Sequence, residues 1–175
     1  MGKLTAPAPI KAVHITNNFD CGIPSLDQWL RRQALKNEAS GASRTFVVCF
    51  GEEVAGYYVL ATGSVLRQQA PGRIKREMPD PIPVMVLGRL AVDRKWQKSG
   101  IGGGLLRDAL LRTYNVSRQV GVRALLVHAL SEDAKGFYLR HGFAQSPIDQ
   151  MTLMLNLQDV HRALEPQLPD REDNN

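Results

Sequence analysis

The stretch LGRLAVDRKWQKSGIGGGLL, residues 87–106, joins an apolar segment to a basic glycine-rich loop and the start of a helix. The apolar residues from Val84 to Val92 predict a buried strand, because the run is short and rich in β-branched side chains. Gln97 to Gly104 forms the glycine-rich loop. Beyond it, apolar residues recur at helical spacing as far as Val116. The stretch therefore predicts a strand, a loop and a helix in succession.

The junction between this loop and the helix is suited to bind an anion. The first turn of a helix presents backbone N–H groups without partners and the positive end of the helix dipole. Glycine lets the backbone approach a ligand closely, because it has no Cβ. Together these features favour a pyrophosphate site. For a glycine-rich loop alone, a flexible turn between two core elements is the alternative interpretation.

Two common phosphate-binding loops do not match this sequence. The pattern G-x-x-x-x-G-K-[ST] is absent, which excludes a Walker A loop. Leu105 stands where a dinucleotide-binding loop has its third glycine, and no acidic residue follows at the distance of the ribose partner. The pattern that does fit is Gln97-x-x-Gly100-x-Gly102.

Composition and charge predict a single domain with a basic surface. The chain has 175 residues, of which 43% are hydrophobic and 22% charged, ordinary values for one globular domain. It has no apolar run long enough for a membrane helix and no signal-peptide pattern, so we expect a cytoplasmic protein. Its two cysteines and four histidines lack the spacing of metal ligands, so we expect no metal. The net charge of +5 suggests a polyanionic partner without establishing one.

Positive charge is concentrated in two groups of residues. The segment RQQAPGRIKR, residues 67–76, lies in a long proline-containing loop for which we expect little regular structure. Its cations are Arg67, Arg73, Lys75 and Arg76, and it contains no acid. A second group lies on or just after the first helix and consists of Arg31, Arg32, Lys36 and Arg44. Each group indicates either a solvated face or a surface for a polyanion.

The other elements follow from periodicity and turn residues. Before the long loop we predict a strand at 10–15, a helix from Pro24 to Gly41, and a hairpin formed by 45–50 and 54–61. Ser25 with Gln28 reads as a capping box at the start of that helix.

After the glycine loop, the sequence predicts a parallel βαβ unit and a closing hairpin. A buried strand at 122–129 completes the unit, and Ser131 caps the next helix. The last two strands are predicted at 143–148 and 151–157. The order is β-α-β-β-loop-β-α-β-α-β, an α/β fold. We assign 1–160 to one domain and expect a disordered polar tail at 161–175.

Two motifs together resemble the GNAT N-acetyltransferases. Gln97-x-x-Gly100-x-Gly102 is similar to the Q/R-x-x-G-x-G/A loop with which that family binds acetyl-CoA. The last helix of the family typically reads A-x-x-F-Y-x-x-x-G-F, a pattern filled here by Ala134, Phe137, Tyr138, Gly142 and Phe143. The two motifs lie at the expected separation, so their joint occurrence is more specific than either alone. The resemblance implies the GNAT fold, a central mixed and twisted sheet flanked by helices.

A closer resemblance, over about residues 5–157, is to the toxin branch of that family, the TacT/AtaT-like acetyltransferases of toxin–antitoxin pairs. It is carried by LGRLAVDRKWQKSGIGG, GKLTAPAPIKAVH, ASRTFVV and MPDPIPV. It implies acetylation of the α-amine of the amino acid on charged tRNA, which blocks translation. It also implies a homodimer neutralised by a ribbon-helix-helix antitoxin. The alternatives are a GNAT enzyme for protein or small-molecule amines, and a non-enzymatic RNA-binding module on the same fold.

The resemblance also implies roles for individual residues. Tyr138 stands where the family has its thiol-facing tyrosine, and a phenol that is protonated at pH 7 can donate to a departing thiolate. A core aromatic is the alternative for Tyr138. Backbone N–H groups near Leu90 and Val92 would polarise the thioester carbonyl. The full set of expected acetyl-CoA contacts is Leu90, Ala91, Val92, Gln97, Lys98, Ser99, Gly100, Ile101, Gly102 and Gly103.

Arg89 and His128 are further candidates. Arg89 lies on the central strand, where an unpaired charge is costly, so it either pairs structurally or faces the substrate groove and meets RNA phosphate. The other candidate RNA contacts are Arg67, Arg73, Lys75 and Arg76. His128 ends a strand and is either a base or proton relay or, the favoured interpretation, a hydrogen-bonded histidine of the sheet.

Overall fold

The strand that leads into the glycine loop lies in the middle of a mixed sheet of seven strands. The computed structural model describes residues 2–160. The elements in chain order are β1 (Ala8–Pro9), α1 (Pro24–Arg32), α2 (Ala34–Ser40), β2 (Arg44–Phe50), β3 (Glu53–Val65), α3 (Gly72–Lys75), β4 (Ile82–Val92), α4 (Ile101–Ser117), β5 (Ala124–His128), α5 (Glu132–Arg140), β6 (Ala144–Gln145) and β7 (Thr152–Asn156). Short 3-10 turns occupy Arg67–Gln69, Arg94–Trp96 and Leu157–Asp159.

The sheet order is β1-β2-β3-β4-β5-β7-β6. The central neighbours β4 and β5 run parallel, and the other adjacent pairs are antiparallel. Helix α4 connects β4 to β5, because a parallel pair needs a crossover connection. The predicted α/β class, the βαβ unit and the closing hairpin are confirmed.

The two central strands separate before they end. Their pairing runs from Val84 opposite Ala124 to Leu87 opposite Val127 and then stops. Strand β4 continues to Val92, paired on its other side with β3. The last residues of β4 therefore have an open edge on the side that β5 has left.

A β-bulge lies at the point of separation. Leu87 pairs with Leu60 and Arg89 pairs with Val59, so Gly88 is an extra residue on β4. Residues before and after the bulge therefore alternate between the two faces of the sheet in opposite phase.

Apolar side chains cover both faces of the sheet. The face under α4 and α5 contains the largest buried cluster, which includes Leu87, Leu105 and Tyr138. The opposite face is covered by α1 and α2, around Leu30 and Tyr57. A third cluster lies where the loop between β3 and β4 packs against the beginnings of the central strands.

The N-terminal region differs from the prediction. The strand predicted at 10–15 is wrong: β1 comprises Ala8–Pro9, and a turn follows in which His14 Nδ1 accepts the Lys11 N–H at 2.9 Å. The capping box at Ser25 is also wrong, because Pro24 occupies the first turn and the N-cap is Ile23. Proline is preorganised for the first helical position, so Pro24 rather than Leu26 is the first helical residue.

The predicted first helix is two helices. Gln33 separates α1 from α2 with φ −118°, and Gly41 ends α2 in the left-handed conformation. At α5 the prediction is confirmed, because the Ser131 hydroxyl accepts the Ala134 N–H at 3.1 Å.

The loop predicted at 63–83 has more structure than expected. It is shortened at both ends by β3 and β4 and contains α3, whose Ile74 is buried with the neighbouring Ala70. Arg123 holds this segment by donating to the carbonyls of Ile74, Arg73 and Arg76. The buried apolar residues explain why the segment folds despite its prolines and charges.

The predicted tail at 161–175 lies outside the described residues. Residues 2–160 contain no helix that is long and apolar enough to span a membrane.

Candidate active site

The glycine loop ends with the unpaired N-terminus of α4. Lys98 and Gly100 both have positive φ, 63° and 87°, and the first helical bond runs from the Gly104 N–H to the Gly100 carbonyl at 3.1 Å. The N–H groups of Ile101, Gly102 and Gly103 therefore have no intrahelical acceptor. Three adjacent donors and the helix dipole suit this turn to bind an anion.

Most of these glycines are not required by the protein's own packing. A Cβ at Gly102 would lie 3.9 Å from its nearest neighbour, one at Gly103 would lie 3.8 Å away, and one at Gly104 would meet nothing within 4 Å. Each glycine inside a helix costs about 1 kcal/mol relative to alanine. Open space beside the helix accounts for them, because it lets a ligand approach the backbone. Only Gly100 is needed for its backbone conformation.

Gln97 fixes the loop with its side chain. Its Nε2 donates to the Val92 carbonyl at 2.9 Å and to the Cys21 carbonyl at 3.0 Å. The loop is thereby tied to the end of β4 and to the segment before α1. Lys98 and Ser99 are exposed beside it, and the Ser99 hydroxyl donates to the Trp96 carbonyl.

A cavity of about 530 Å³ borders the loop along α4. Gly103 and Arg107, one helical turn apart, both line it. The Arg107 Nε is buried and has no hydrogen-bond acceptor among residues 2–160. A buried guanidinium donor without a partner is costly, and an anion in the cavity would satisfy it. The sequence prediction missed Arg107; its one available signal was a basic residue four positions after a glycine of the loop.

The open edge of β4 presents two of the three predicted backbone contacts. The Asp93 N–H donates to the Ala55 carbonyl of β3 at 2.9 Å. Because backbone groups alternate along a strand, Ala91 also faces β3, whereas Leu90 and Val92 face the side left open by β5. The structure thus brings Leu90 and Val92 to the open edge and directs Ala91 away from it.

A second cavity, of about 110 Å³, lies where the strands separate. It is lined from both faces of the sheet: Tyr138 comes from α5, and Leu26 comes from α1 on the opposite face. Arg89 and Leu90 of β4 and His128 of β5 also line it. Ligands entering from the two faces can therefore meet at the split.

Tyr138 is buried at this cavity, with 6% of its surface exposed. Its hydroxyl makes no hydrogen bond to any residue that the structure describes, whereas the other two buried tyrosines are bonded: Tyr57 donates to the Leu26 carbonyl at 2.7 Å and Tyr58 donates to Asp108. Burial raises the pKa of Tyr138, so the phenol keeps its proton at neutral pH. A protonated hydroxyl without a protein partner is available to a ligand.

Arg89 is supported by an aromatic stack rather than by an acid. Its guanidinium carbon lies 4.8 Å from the centroid of the Trp29 ring, and Trp29 is stacked on Tyr57 with centroids 6.1 Å apart. No carboxylate in residues 2–160 forms an ion pair with it. The charge therefore stays available at the cavity wall, held in place by a cation–π contact.

His128 is exposed at the end of β5 and lines the same cavity as Arg89. Its Nδ1 lies 2.8 Å from the Thr152 Oγ1 on the adjacent strand β7.

The four cations of the long loop are not near this cavity. Ile74 of α3 packs with Ile82 and Val84 at the beginning of β4. Leu90 lies eight residues further along the strand, a distance of about 26 Å at the usual rise per residue. The structure therefore separates the basic segment, with its four candidate RNA contacts, from the split.

Two of these cations have internal partners. Arg67 donates to the Lys75 carbonyl at 2.6 Å and to the Met78 carbonyl, and Arg73 forms an ion pair with Asp159 at 2.8 Å. Lys75 and Arg76 form no ion pair within the described range. In the group near the first helix, Arg31 donates to the Phe19 carbonyl and Arg44 pairs with Glu38.

Residues 2–160 contain no group of three or more His, Cys, Asp or Glu side chains that could hold a metal ion.

Comparisons with known proteins agree with this geometry. Residues 41–145 match the family described as the acetyltransferase (GNAT) domain. A protein of Mycobacterium tuberculosis named "tRNA-acetylating toxin" is 48% identical over 164 residues, which cover 94% of this chain and 98% of that protein.

Two solved structures are similar in fold and sequence. AtaT complexed with acetyl-methionyl-tRNAfMet has a TM-score of 0.85 and 27% identity, with 91% of this chain and 98% of that chain covered. An AtaT variant bound to acetyl-CoA and the C-terminus of the antitoxin AtaR has a TM-score of 0.78 and 26% identity, with 93% and 99% covered. Together, the family match, the 48% identity and the site geometry show that this chain belongs to the GNAT acetyltransferase family.

Proposed function

We propose that this protein transfers the acetyl group of acetyl-CoA to the α-amine of the amino acid on charged tRNA and thereby blocks translation. The observation that carries the chemistry is the buried Tyr138 hydroxyl, protonated and without a protein partner, beside the open edge of β4. The relative named for acetylating tRNA, 48% identical over nearly the whole chain, supports the choice of acceptor.

The site fits acetyl-CoA in two places. The free N–H groups at 101–103 would hold the pyrophosphate, and the Arg107 guanidinium in the adjacent cavity would contact a phosphate oxygen. The open edge at Leu90 and Val92 offers N–H donors to the acetylated arm, at the position where an oxyanion would be stabilised. Gln97 acts in this proposal by fixing the loop, since its side chain is already bonded to Val92 and Cys21.

Tyr138 acts as the general acid. The neutral amine nitrogen adds to the thioester carbon and the carbon–sulfur bond then breaks. The Tyr138 hydroxyl gives its proton to the departing sulfur, and the nitrogen loses one proton to the resulting phenolate. A phenol suits this step, because it is protonated at pH 7 and the leaving thiolate is basic enough to accept.

The acceptor side carries positive charge for RNA. Arg89 stands at the cavity wall on the face of α1, where it would meet a phosphate near the charged end of the tRNA. Arg76 and Lys75, in the segment that packs against the beginning of β4, would contact the same large ligand elsewhere. Arg67 and Arg73 support that surface through their contacts with Met78 and Asp159.

We also propose a cytoplasmic homodimer that is neutralised by a ribbon-helix-helix antitoxin. Support comes from the sequence resemblance and from the AtaT structure that contains the C-terminus of its antitoxin.

A translation extract with radiolabelled acetyl-CoA tests the proposal. Label should appear on aminoacyl-tRNA, disappear on deacylation, and be lost with Tyr138→Phe. Label on ribosomal proteins or polyamines, with charged tRNA unlabelled, would favour a general amine acetyltransferase. Binding of tRNA without any transfer would favour the RNA-binding module.

A further inference from the structure

His128 belongs to a series of hydrogen bonds that lies outside the acetyl-transfer step proposed for Tyr138. Its Nδ1 lies 2.8 Å from the Thr152 Oγ1, and that hydroxyl donates to the Asp149 Oδ2 at 2.8 Å. Thr152 is buried in the middle of this series of hydrogen bonds, and His128 and Asp149 are exposed at its two ends.

The direction of these bonds determines which ring nitrogen carries the proton. Bonds from the Thr152 hydroxyl and the Met151 N–H hold the pKa of Asp149 below its ordinary value, so this carboxylate only accepts. The Thr152 hydroxyl has one proton, which it gives to Asp149. Its oxygen must therefore accept from His128, whose Nδ1 carries the hydrogen. In the neutral ring, Nε2 is then the nitrogen with the free lone pair.

The fold places the His128 ring on the acceptor side of the split. Along β5, Leu125 and Val127 lie on the face of α4 and α5, so alternation places His128 on the opposite face. That face also contains Ala91. Arg89 lies two residues before Ala91 with no bulge between them, so it is on the same face. His128 and Arg89 line one cavity with Tyr138, which reaches it from the other face.

We infer that His128 is the proton acceptor for the incoming α-ammonium group, and that Thr152 and Asp149 are positioning residues that fix the tautomer in which Nε2 carries the lone pair. This role rests on the proposed function and adds the step that Tyr138 cannot perform. The groups that face the ring are Asp149 beyond Thr152, the Arg89 guanidinium and the Tyr138 phenol.

Nε2 takes one proton from the ammonium group, which leaves a nitrogen lone pair to attack the thioester carbon. As the carbon–sulfur bond breaks, Tyr138 protonates the sulfur, and its phenolate then takes the second proton that the nitrogen loses. The amide is left with one hydrogen, and the proton on His128 passes to solvent, to which the ring is exposed.

The test is the pH profile of kcat/KM for acetylation of charged tRNA. His128→Ala should lower kcat/KM by about 10²-fold near pH 7, and the loss should shrink as the pH rises. The half-maximal pH should move up to the pKa of the substrate's own α-amine, because only the already neutral amine then reacts. Thr152→Val should give a smaller loss of kcat/KM, because Nδ1 then has no acceptor and the ring is no longer fixed in one tautomer, and Thr152→Ser, which keeps the hydroxyl, should behave as wild type.

The control is His14→Ala, which removes a histidine from the N-terminal turn, and acetyl-CoA affinity is measured for every variant. An unchanged pH profile in His128→Ala, with normal wild-type transfer, would overturn the role of His128 alone. A parallel loss at every pH, or loss of acetyl-CoA binding, would also overturn it and indicate a structural role. Failure of the wild type to label charged tRNA would instead contradict the proposed function.

Discussion

Tyr138→Phe should separate catalysis from stability more cleanly than other changes at the site. The substitution removes one oxygen from a ring that is 6% exposed and whose hydroxyl has no partner in the described structure. No protein donor or acceptor loses a bond, so the free energy of unfolding should change by less than about 0.5 kcal/mol. Turnover should fall by a factor on the order of 10²–10⁴, about 3–5 kcal/mol of lost transition-state stabilisation.

Tyr57→Phe is the matched control. It removes the same atom from a fully buried ring, but here the hydroxyl donates to the Leu26 carbonyl at 2.7 Å. Loss of that bond should cost about 1 kcal/mol, which lowers Tm by about 2–4 °C in a chain of this size. Tyr138→Phe should therefore be inactive with unchanged stability, whereas Tyr57→Phe should be active but less stable.

The assay combines transfer of labelled acetyl groups to charged tRNA, calorimetric titration with acetyl-CoA, and thermal unfolding. Affinity for acetyl-CoA should be nearly unchanged in Tyr138→Phe, because the general acid acts when sulfur leaves. Full turnover in that variant, or a fall in Tm like that of Tyr57→Phe, would return Tyr138 to the role of a core aromatic.

Gly102→Glu should abolish acetyl-CoA binding in titration and leave Tm within a few degrees, because a Cβ there meets no protein atom within 3.8 Å; undiminished binding would contradict the proposed pyrophosphate site. Gly104→Ala should raise Tm by about 2–4 °C, since it removes about 1 kcal/mol of helix penalty in open space. Arg76→Glu should weaken tRNA binding, lower the slope of log K against log [salt] by about 1 and leave acetyl-CoA affinity unchanged. The double variant with Arg73→Glu should weaken tRNA binding further, but it also breaks the ion pair between Arg73 and Asp159. Light scattering at micromolar concentration should give a dimer, and a monomer would remove that proposal.

The parts of the fold that sequence predicted are those with a local signal. The β4–α4 unit was predictable because an apolar run, a glycine loop and a helical period follow one another, and the cap at Ser131 was predictable for the same reason. The cap predicted at Ser25 failed because Pro24 is preorganised for the first helical position, which moves the N-cap to Ile23. The fold of the loop around Ile74 depends on distant strands, and no local pattern encodes it.

The site divides in a similar way. The anion-binding turn follows from glycines and helix geometry, but the assignment of Tyr138 came from family resemblance, because an isolated Phe-Tyr pair on a helix looks like core. Arg107 becomes a candidate only when its Nε is found buried without an acceptor. The bond between His128 and Thr152 joins residues 24 positions apart, and only strand pairing reveals it.

The extra residue at Gly88 makes β4 function as two strands of opposite phase. Before it, Met85 and Leu87 point toward α4 and α5; after it, Leu90 points that way and Arg89 points to the other face. Deleting Gly88 would leave these faces unchanged, because Arg89 would then follow Leu87 directly and regular alternation would keep it on the opposite face, but the deletion would remove the local bend that a bulge gives the strand. A point substitution at Arg89 changes one contact, whereas loss of this one glycine would straighten β4 where it parts from β5 and so move every residue from there to the glycine loop.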